Sequence, residues 1–108
     1  MKRILAVAAL ATLAPSFSAL ADVQANWDTA CAKCHGADGT GQTKIGKKLN
    51  IKDFTDAKVQ AGFSDDEAFK AIREGRKDKD GKTLMKAIEG LSDADAKALV
   101  QHVRSLKK

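Results

Sequence analysis

The chain has 108 residues, of which 19 are Lys or Arg and 14 are Asp or Glu, giving a formal net charge of +5 at pH 7. This length supports a single domain. Basic and acidic residues alternate along the chain, and so modest a charge is not that of a nucleic-acid binder.

The first 21 residues have the pattern of a secretory signal peptide. Lys2 and Arg3 form a positive n-region, an apolar run follows over 4–13, and Ala19-Leu20-Ala21 is an A-x-A cleavage site. The apolar run is about half of the ~20 residues that a membrane-spanning helix needs. We therefore predict a cleaved signal peptide over 1–21 and an exported, periplasmic domain over 22–108 that has no membrane span.

The composition of the exported part suggests an additional core component. Leu, Ile, Val and Phe number 16 among its 87 residues, slightly below the share of about 20% at which highly charged chains tend to be disordered. The helix signals described below nevertheless predict a folded protein. A large apolar cofactor would supply the core that the side chains lack.

The first half of the exported part contains helix and loop signals but no strand pattern. A first helix is predicted from Asp22 to about Cys34. Four glycines over 36–46 predict a loop. A short helical turn is expected over 55–60.

Two capping boxes organise the second half. The first, Ser64 to Glu67, begins a helix that is expected to stop at Gly75, and a charged loop is predicted over 76–82. The second, Ser92 to Asp95, begins the last helix. Its apolar residues recur at helical spacing: Ala96, Leu99, Val100, Val103 and Leu106.

The segment Cys31-Ala32-Lys33-Cys34-His35 has the pattern of a c-type haem attachment site. Each vinyl group of haem accepts one thiol, and two intervening residues let both thiols reach one porphyrin when the segment is helical. The adjacent His35 can then bind the iron as the proximal axial ligand. The motif thus predicts Cys31 and Cys34 as thioether residues and His35 as an iron ligand.

The second axial ligand is sought by elimination, because haem iron in cytochromes takes methionine or histidine opposite the proximal histidine. After cleavage the chain retains one methionine, Met85, and one further histidine, His102. Met85 follows a charged, glycine-containing loop that could press it onto a haem face. His102 lies at the edge of the last helix's apolar stripe, where a structural or partly exposed role is expected. We predict Met85 as the ligand.

Other interpretations of these residues are weaker. A thioredoxin-like Cys-x-x-Cys pair requires a βαβ context. A zinc site requires four ligands, and the chain offers Cys31, Cys34, His35 and the distant His102. Residues 41–48 resemble a phosphate-binding loop but lack its final Ser or Thr and follow no strand, so we interpret them as an ordinary loop.

The chain resembles the small class I c-type cytochromes of the bacterial periplasm over essentially all of 22–108. The resemblance is carried by residues 30–36, the single Met85 and the final segment 90–104. The resemblance implies an all-α fold of three to four helices around one covalently bound haem c. Many relatives place a Pro-x-Leu segment after the loop, and its proline carbonyl accepts the N–H of the proximal histidine. Here Lys47-Lys48-Leu49 stands instead.

The function expected is that of a soluble monohaem one-electron carrier between redox proteins whose identities the sequence does not give, and not that of an enzyme. Filled axial positions leave no open site for substrate chemistry. A haem enzyme or gas sensor with an exchangeable sixth ligand, and a haem subunit of a respiratory complex, are the alternatives. We expect a monomer that binds no nucleic acid.

A cluster of lysines follows the attachment motif. With Lys33 it comprises Lys44, Lys47, Lys48 and Lys52, and Asp38 is the single acidic residue between His35 and Lys52. Such a surface could steer an acidic redox partner, or it could simply keep the protein solvated.

Overall fold

The computed structural model describes the backbone of residues 17–108 and the side chains from Asp22 onward. Residues 1–16, most of the predicted signal peptide, lie outside the described residues. Helices dominate the described part, as the predicted all-α fold requires. The elements are α1 (Phe17–Asn26), the π-helical turn π1 (Trp27–Cys31), α2 (Ala32–His35), α3 (Lys44–Lys48), α4 (Ala57–Ala61), α5 (Asp65–Glu74), β1 (Arg76–Lys77), β2 (Thr83–Met85) and α6 (Asp93–Ser105).

The first predicted helix is present but begins at Phe17, five residues before the predicted start at Asp22, and it changes helix type in its middle. Elements α1, π1 and α2 follow one another without a break, and the amide of Ala32 bonds to the carbonyl of Trp27, five residues earlier. Trp27 and Cys31 are both buried. Single π-helical turns of this kind are frequent at functional sites. The sequence carries no signal that separates this turn from a regular α-helix.

Helix α6 begins where its capping box predicts. The Ser92 hydroxyl accepts a hydrogen bond from the Asp95 amide, and the Asp95 carboxylate accepts one from the Ser92 amide. Its apolar stripe faces inward and packs against α1 and α5. The buried apolar side chains of the described residues are Trp27, Cys31, Ile72, Ala96, Leu99, Val100 and Val103. The core therefore lies where the first helical run meets the last helix.

The first capping box is also confirmed, and α5 ends at Glu74 before Gly75. Gly75 has a φ of +77°, which glycine adopts without strain. A Cβ atom there would lie 2.6 Å from the carbonyl oxygen of Met85 and 2.8 Å from the amide nitrogen of Ala87. The missing side chain thus lets β2 lie directly against the end of α5, which determines the position of Met85.

The prediction of a charged loop without strands over 76–82 is partly wrong. Strands β1 and β2 pair antiparallel with an irregular register. Between them the Asp78 carboxylate accepts hydrogen bonds from the amides of Asp80 and Lys82, and Gly81 has a φ of +81°. Strands of two and three residues are too short to show an alternating pattern, although an Asp-Gly turn favours a hairpin.

The predicted loop over 36–46 is shorter than expected, because α3 begins at Lys44. Thr43 caps this helix by accepting a hydrogen bond from the Gly46 amide at 2.8 Å. The cap offsets the low helix propensity of Gly46. The Thr43 hydroxyl also donates to the Cys34 carbonyl at 2.6 Å and so joins the loop to the end of α2. The short turn expected over 55–60 corresponds to α4.

Candidate functional site

The structure places the three residues of the attachment motif on one short helical stretch. Cys31 ends π1, and Cys34 and His35 lie in α2. Both cysteines are free thiols. Burial and, to a smaller extent, the neighbouring Cys34 raise the pKa of Cys31 to about 11. A reactive redox Cys-x-x-Cys pair has a lowered thiol pKa, so this raised pKa argues against the thioredoxin-like interpretation.

Neither ring nitrogen of the His35 imidazole forms a hydrogen bond with the described residues. Burial lowers its pKa, so the ring is neutral at pH 7, the form that binds a metal. The Nδ1 atom is buried and has no hydrogen-bond partner among the described residues. Likewise, none of the hydrogen bonds found from residue 22 onward engages Nε2.

Met85 reaches the same part of the molecule from the hairpin. Its half-buried side chain packs against the core cluster that contains Cys31. Met85 and Ala30, the residue before Cys31, line one open cavity of about 600 Å³. None of Cys31, Cys34 and His35 lines this cavity, which is formed mainly by the hairpin and the segment after it. The contact of Met85 with the core cluster is what brings the hairpin against the attachment helix.

His102 lies on α6, with its ring centroid 5.0 Å from that of Trp27. Its ring is partly exposed, and its Nε2 atom is buried without a hydrogen-bond partner among the described residues. The structure thus gives His102 a packing contact with Trp27, in keeping with the structural, partly exposed role that we expect.

The aromatic surroundings of His35 are absent from the sequence-based predictions. The Phe54 ring stacks on the imidazole, with centroids 5.0 Å apart and an interplanar angle of 23°. Trp27 lies 5.9 Å away at a tilt of 34°. Phe54 stands outside every periodic segment, so no pattern in the sequence marks it as a neighbour of His35.

Two further properties of the described residues bear on this site. No helix among them is long and apolar enough to cross a membrane. From residue 22 onward, no group of three or more His, Cys, Asp or Glu side chains is arranged to hold a metal ion.

Comparison with known proteins assigns the family. The cytochrome c family model matches residues 20–107, so the chain belongs to the cytochrome c family. A solved structure titled "KustC0563 c-type cytochrome" is 34% identical, with a TM-score of 0.69, and the match covers 81% of this chain and 99% of that one. A point mutant of that cytochrome is 33% identical, with a TM-score of 0.67 and coverages of 80% and 99%. The comparison with curated proteins gives no match.

Membership of this family means that the protein carries covalently attached haem c and belongs to the electron carriers. The residues present fit that group. Two free thiols lie one helical turn apart, beside a neutral imidazole that forms no hydrogen bond with the described residues. A nitrogen and a thioether sulfur are an axial ligand pair found in cytochromes c.

Proposed function

We propose that this protein is a soluble, periplasmic monohaem cytochrome c that carries single electrons between redox proteins, with its iron ligated by His35 and Met85. The observation that supports this most directly is that Met85, the one methionine among the described residues, packs against the core cluster that contains Cys31. Family membership supplies the cofactor, and the geometry supports the assignment of residues to it.

Cys31 and Cys34 are the proposed thioether residues. Each thiol would add across one vinyl group of the haem, with the S–H hydrogen passing to the vinyl carbon, so this addition would need neither an oxidant nor a reductant. The Thr43 hydroxyl fixes the Cys34 carbonyl, and the π-helical turn fixes Cys31. The backbone at both cysteines is therefore held by local contacts.

His35 and Met85 are the proposed axial ligands. The haem supplies a one-electron couple between Fe(II) and Fe(III), whose potential depends on the axial ligands over a range of about 0.8 V. Met85 contributes a thioether sulfur, which favours the reduced state. With two protein side chains on the iron, neither side is open to a substrate, and this favours an electron carrier over a haem enzyme or a gas sensor.

Export completes the proposal. The predicted signal peptide over 1–21 would deliver residues 22–108 to the periplasm, where cytochromes of this type acquire their haem. N-terminal sequencing of the purified protein tests this part, and Asp22 is the expected first residue.

The ligand assignment is tested by replacing the methionine. Met85→Ala leaves Cys31, Cys34 and His35 intact, so covalent haem should remain while the weak far-red band of a Met–Fe(III) bond disappears. The potential should fall because a harder replacement ligand favours Fe(III), and each 59 mV is a tenfold change in the one-electron equilibrium. Carbon monoxide should bind the reduced variant readily.

Leu84→Ala is the matched control, because Leu84 precedes Met85 on the same strand and its side chain is 40% exposed. This variant should keep the spectrum and the potential of the parent. A Met85→Ala protein that also keeps both would show that Met85 only fills space. Ready binding of carbon monoxide by the parent would favour the haem enzyme or gas sensor instead.

A partner-facing surface is part of the proposal. The lysine surface consists of five exposed side chains: Lys33, Lys44, Lys47, Lys48 and Lys52. None of them belongs to an ion pair among the described residues. Ile45, 39% exposed, lies among them. A positive rim around an apolar side chain suits an acidic redox partner, whose association it would accelerate by about 10–10³-fold at low salt.

The rate of oxidation by ferricyanide, a trianion, tests this surface. The parent should react more slowly as ionic strength rises, and Lys47→Gln with Lys48→Gln should flatten that dependence. Lys70→Gln with Lys97→Gln removes the same charge outside the lysine surface and should have the smaller effect. Equal effects of the two pairs would mean that only the net charge matters.

A further inference from the structure

The imidazole of His35 has two aromatic side chains packed near it. Phe54 stacks on it at 5.0 Å between centroids, and Trp27 approaches it at 5.9 Å. No hydrogen bond to Nδ1 exists among the described residues. Packing, and not a polar contact, therefore determines the plane of this ring.

Phe54 is itself fixed by polar contacts of its backbone. Its amide donates to the Gly39 carbonyl at 2.9 Å, and its carbonyl accepts from the Gln60 side-chain amide at 2.6 Å. On its far side, the ring meets the Phe63 ring edge-on at 5.8 Å. Hydrogen bonds to the Phe54 backbone and the contact of its ring with Phe63 thus both determine the position of the ring.

Gln60 is a buried residue whose polar atoms are all engaged. It is only 5% exposed, and its amide group donates to the carbonyls of both Phe54 and Val103, the second at 2.8 Å. The guanidinium of Arg104 donates to its side-chain oxygen at 3.0 Å. A buried, fully satisfied network of this kind makes one arrangement much more stable than its alternatives. It connects the Phe54 segment rigidly to α6.

A histidine that binds a metal usually donates its second ring N–H to a carboxylate, a carbonyl or water, and this bond fixes the ring plane and raises the basicity of the ligand. Where relatives carry a proline carbonyl for this purpose, the present chain has Lys47-Lys48-Leu49. In the structure no such bond reaches Nδ1 from the described residues, and the contacts that bear on the ring plane are the aromatic ones with Phe54 and Trp27.

We propose that Phe54 is a positioning residue that fixes the orientation of the proximal imidazole by stacking on His35, with Gln60 and Arg104 holding Phe54 in place. The proposal rests on the proposed function of His35 as an iron ligand. An imidazole bound to Fe(III) is electron-poor, and the face of a phenyl ring is electron-rich. The stack therefore stabilises the oxidised state relative to the reduced one and restricts rotation of the ligand ring.

The test removes the ring in two ways and keeps it in a third. Phe54→Leu and Phe54→Met both replace it with apolar side chains, and the flexible methionine fills irregular space well. Phe54→Tyr retains an aromatic face. Phe69→Leu is the matched control, because Phe69 is a half-buried phenylalanine that packs against the same core and forms none of the aromatic contacts around His35.

Two readouts separate ligand positioning from a loss of stability. The first is the spread of the haem methyl resonances in the NMR spectrum of the oxidised protein, which depends on the plane of the axial imidazole. The second is the reduction potential. We expect both ring-less variants to change the methyl spread and to favour the reduced form about threefold, or about 30 mV for a one-electron couple.

Phe54→Tyr should match the parent in both readouts, and Phe69→Leu should lower only the thermal midpoint. The proposal is overturned if either ring-less variant assembles with the parent's methyl spread and potential, or if Phe69→Leu shifts them equally. Failure of both ring-less variants to assemble, together with a shifted Phe54→Tyr, would also overturn it, because Phe54 would then serve stability alone. The spectrum of His35→Ala tests ligation separately: if the parent's low-spin spectrum survives that change, the proposed function itself is wrong.

Discussion

The attachment region (residues 22–35) and the methionine region (residues 76–91) differ in how they are held. The attachment region contributes Trp27 and Cys31 to the buried core and packs along α6. The methionine region contains no buried residue. It is connected to α5 by the hydrogen bond from the Ile88 amide to the Ile72 carbonyl at 2.9 Å and by the close approach at Gly75.

This difference separates two tasks of an electron carrier. The covalent side keeps the cofactor in place permanently, and its rigidity comes from core packing. In the proposed function the methionine side has only to keep one sulfur atom on the iron, and few buried apolar contacts support this side. Regions with few buried contacts open locally at a lower free energy than the whole molecule. We therefore expect the methionine region to open before the attachment region unfolds.

The largest effect should follow from removing the cofactor that joins the two regions. Cys31→Ala with Cys34→Ala, produced without haem, should lack cooperative unfolding and fixed tertiary structure, because the seven buried apolar side chains found from residue 22 onward form a small core. Circular dichroism during heating measures this. A sharp thermal transition with near-native helicity in that haem-free protein would show that the attachment region and α6 fold without help.

The second effect concerns the order of failure in the intact protein. On addition of guanidinium, the far-red band of the Met–Fe(III) bond should disappear at a lower concentration than the helical circular dichroism signal. The methionine region would then open while the attachment region and α6 stay folded. Coincident transitions by both probes would mean that the two regions unfold as one unit. The methionine region would then be held as firmly as the attachment region.

The third effect comes from a substitution in α3 that would disturb its close contact with the attachment region. A Cβ atom at Gly46 would overlap the Gly41 carbonyl oxygen and lie 2.7 Å from the Cys34 carbonyl oxygen. Gly46→Ala should therefore cost about 1–3 kcal/mol of stability, as overpacking does, measured by guanidinium unfolding. Gly62→Ala is the control, since its nearest neighbour would be the Val59 carbonyl oxygen at 3.3 Å. Equal costs at the two positions would contradict the close packing at Gly46.

Local signals made the attachment region and α6 largely predictable, because motif spacing, capping boxes and helical periodicity act over a few residues. The start of α3 also had a local signal, because Thr43 caps it through the Gly46 amide three residues later. The contacts that the sequence did not indicate join more distant segments. The stacking of Phe54 on His35 depends on Gln60 and, through it, on Arg104, which is 44 residues further along. No short window of sequence contains such pairs.

The smallest effect should come from His102, which packs on the attachment region from α6. Burial lowers the pKa of His102, and the opposing attraction of Asp28 is weaker. The unfolded chain, with a histidine pKa of about 6.5, therefore binds this proton more readily than the folded protein does. The free energy of unfolding should fall as the pH decreases from about 6.5 to the pKa of His102 in the folded protein, which lies lower. Below that pKa the contribution of His102 should no longer change.

His102→Phe isolates the contribution, because it keeps an aromatic ring against Trp27, whose centroid lies 5.0 Å from that of His102, and removes the titrating group. Thermal midpoints measured at pH 7.5 and pH 5 should differ less in this variant than in the parent. With His35 on the iron as proposed, it should not add to the difference, because an imidazole bound to iron does not take up a proton in this range. If the parent and His102→Phe lose the same stability between the two pH values, the neutral His102 ring is not favoured by its contact with Trp27.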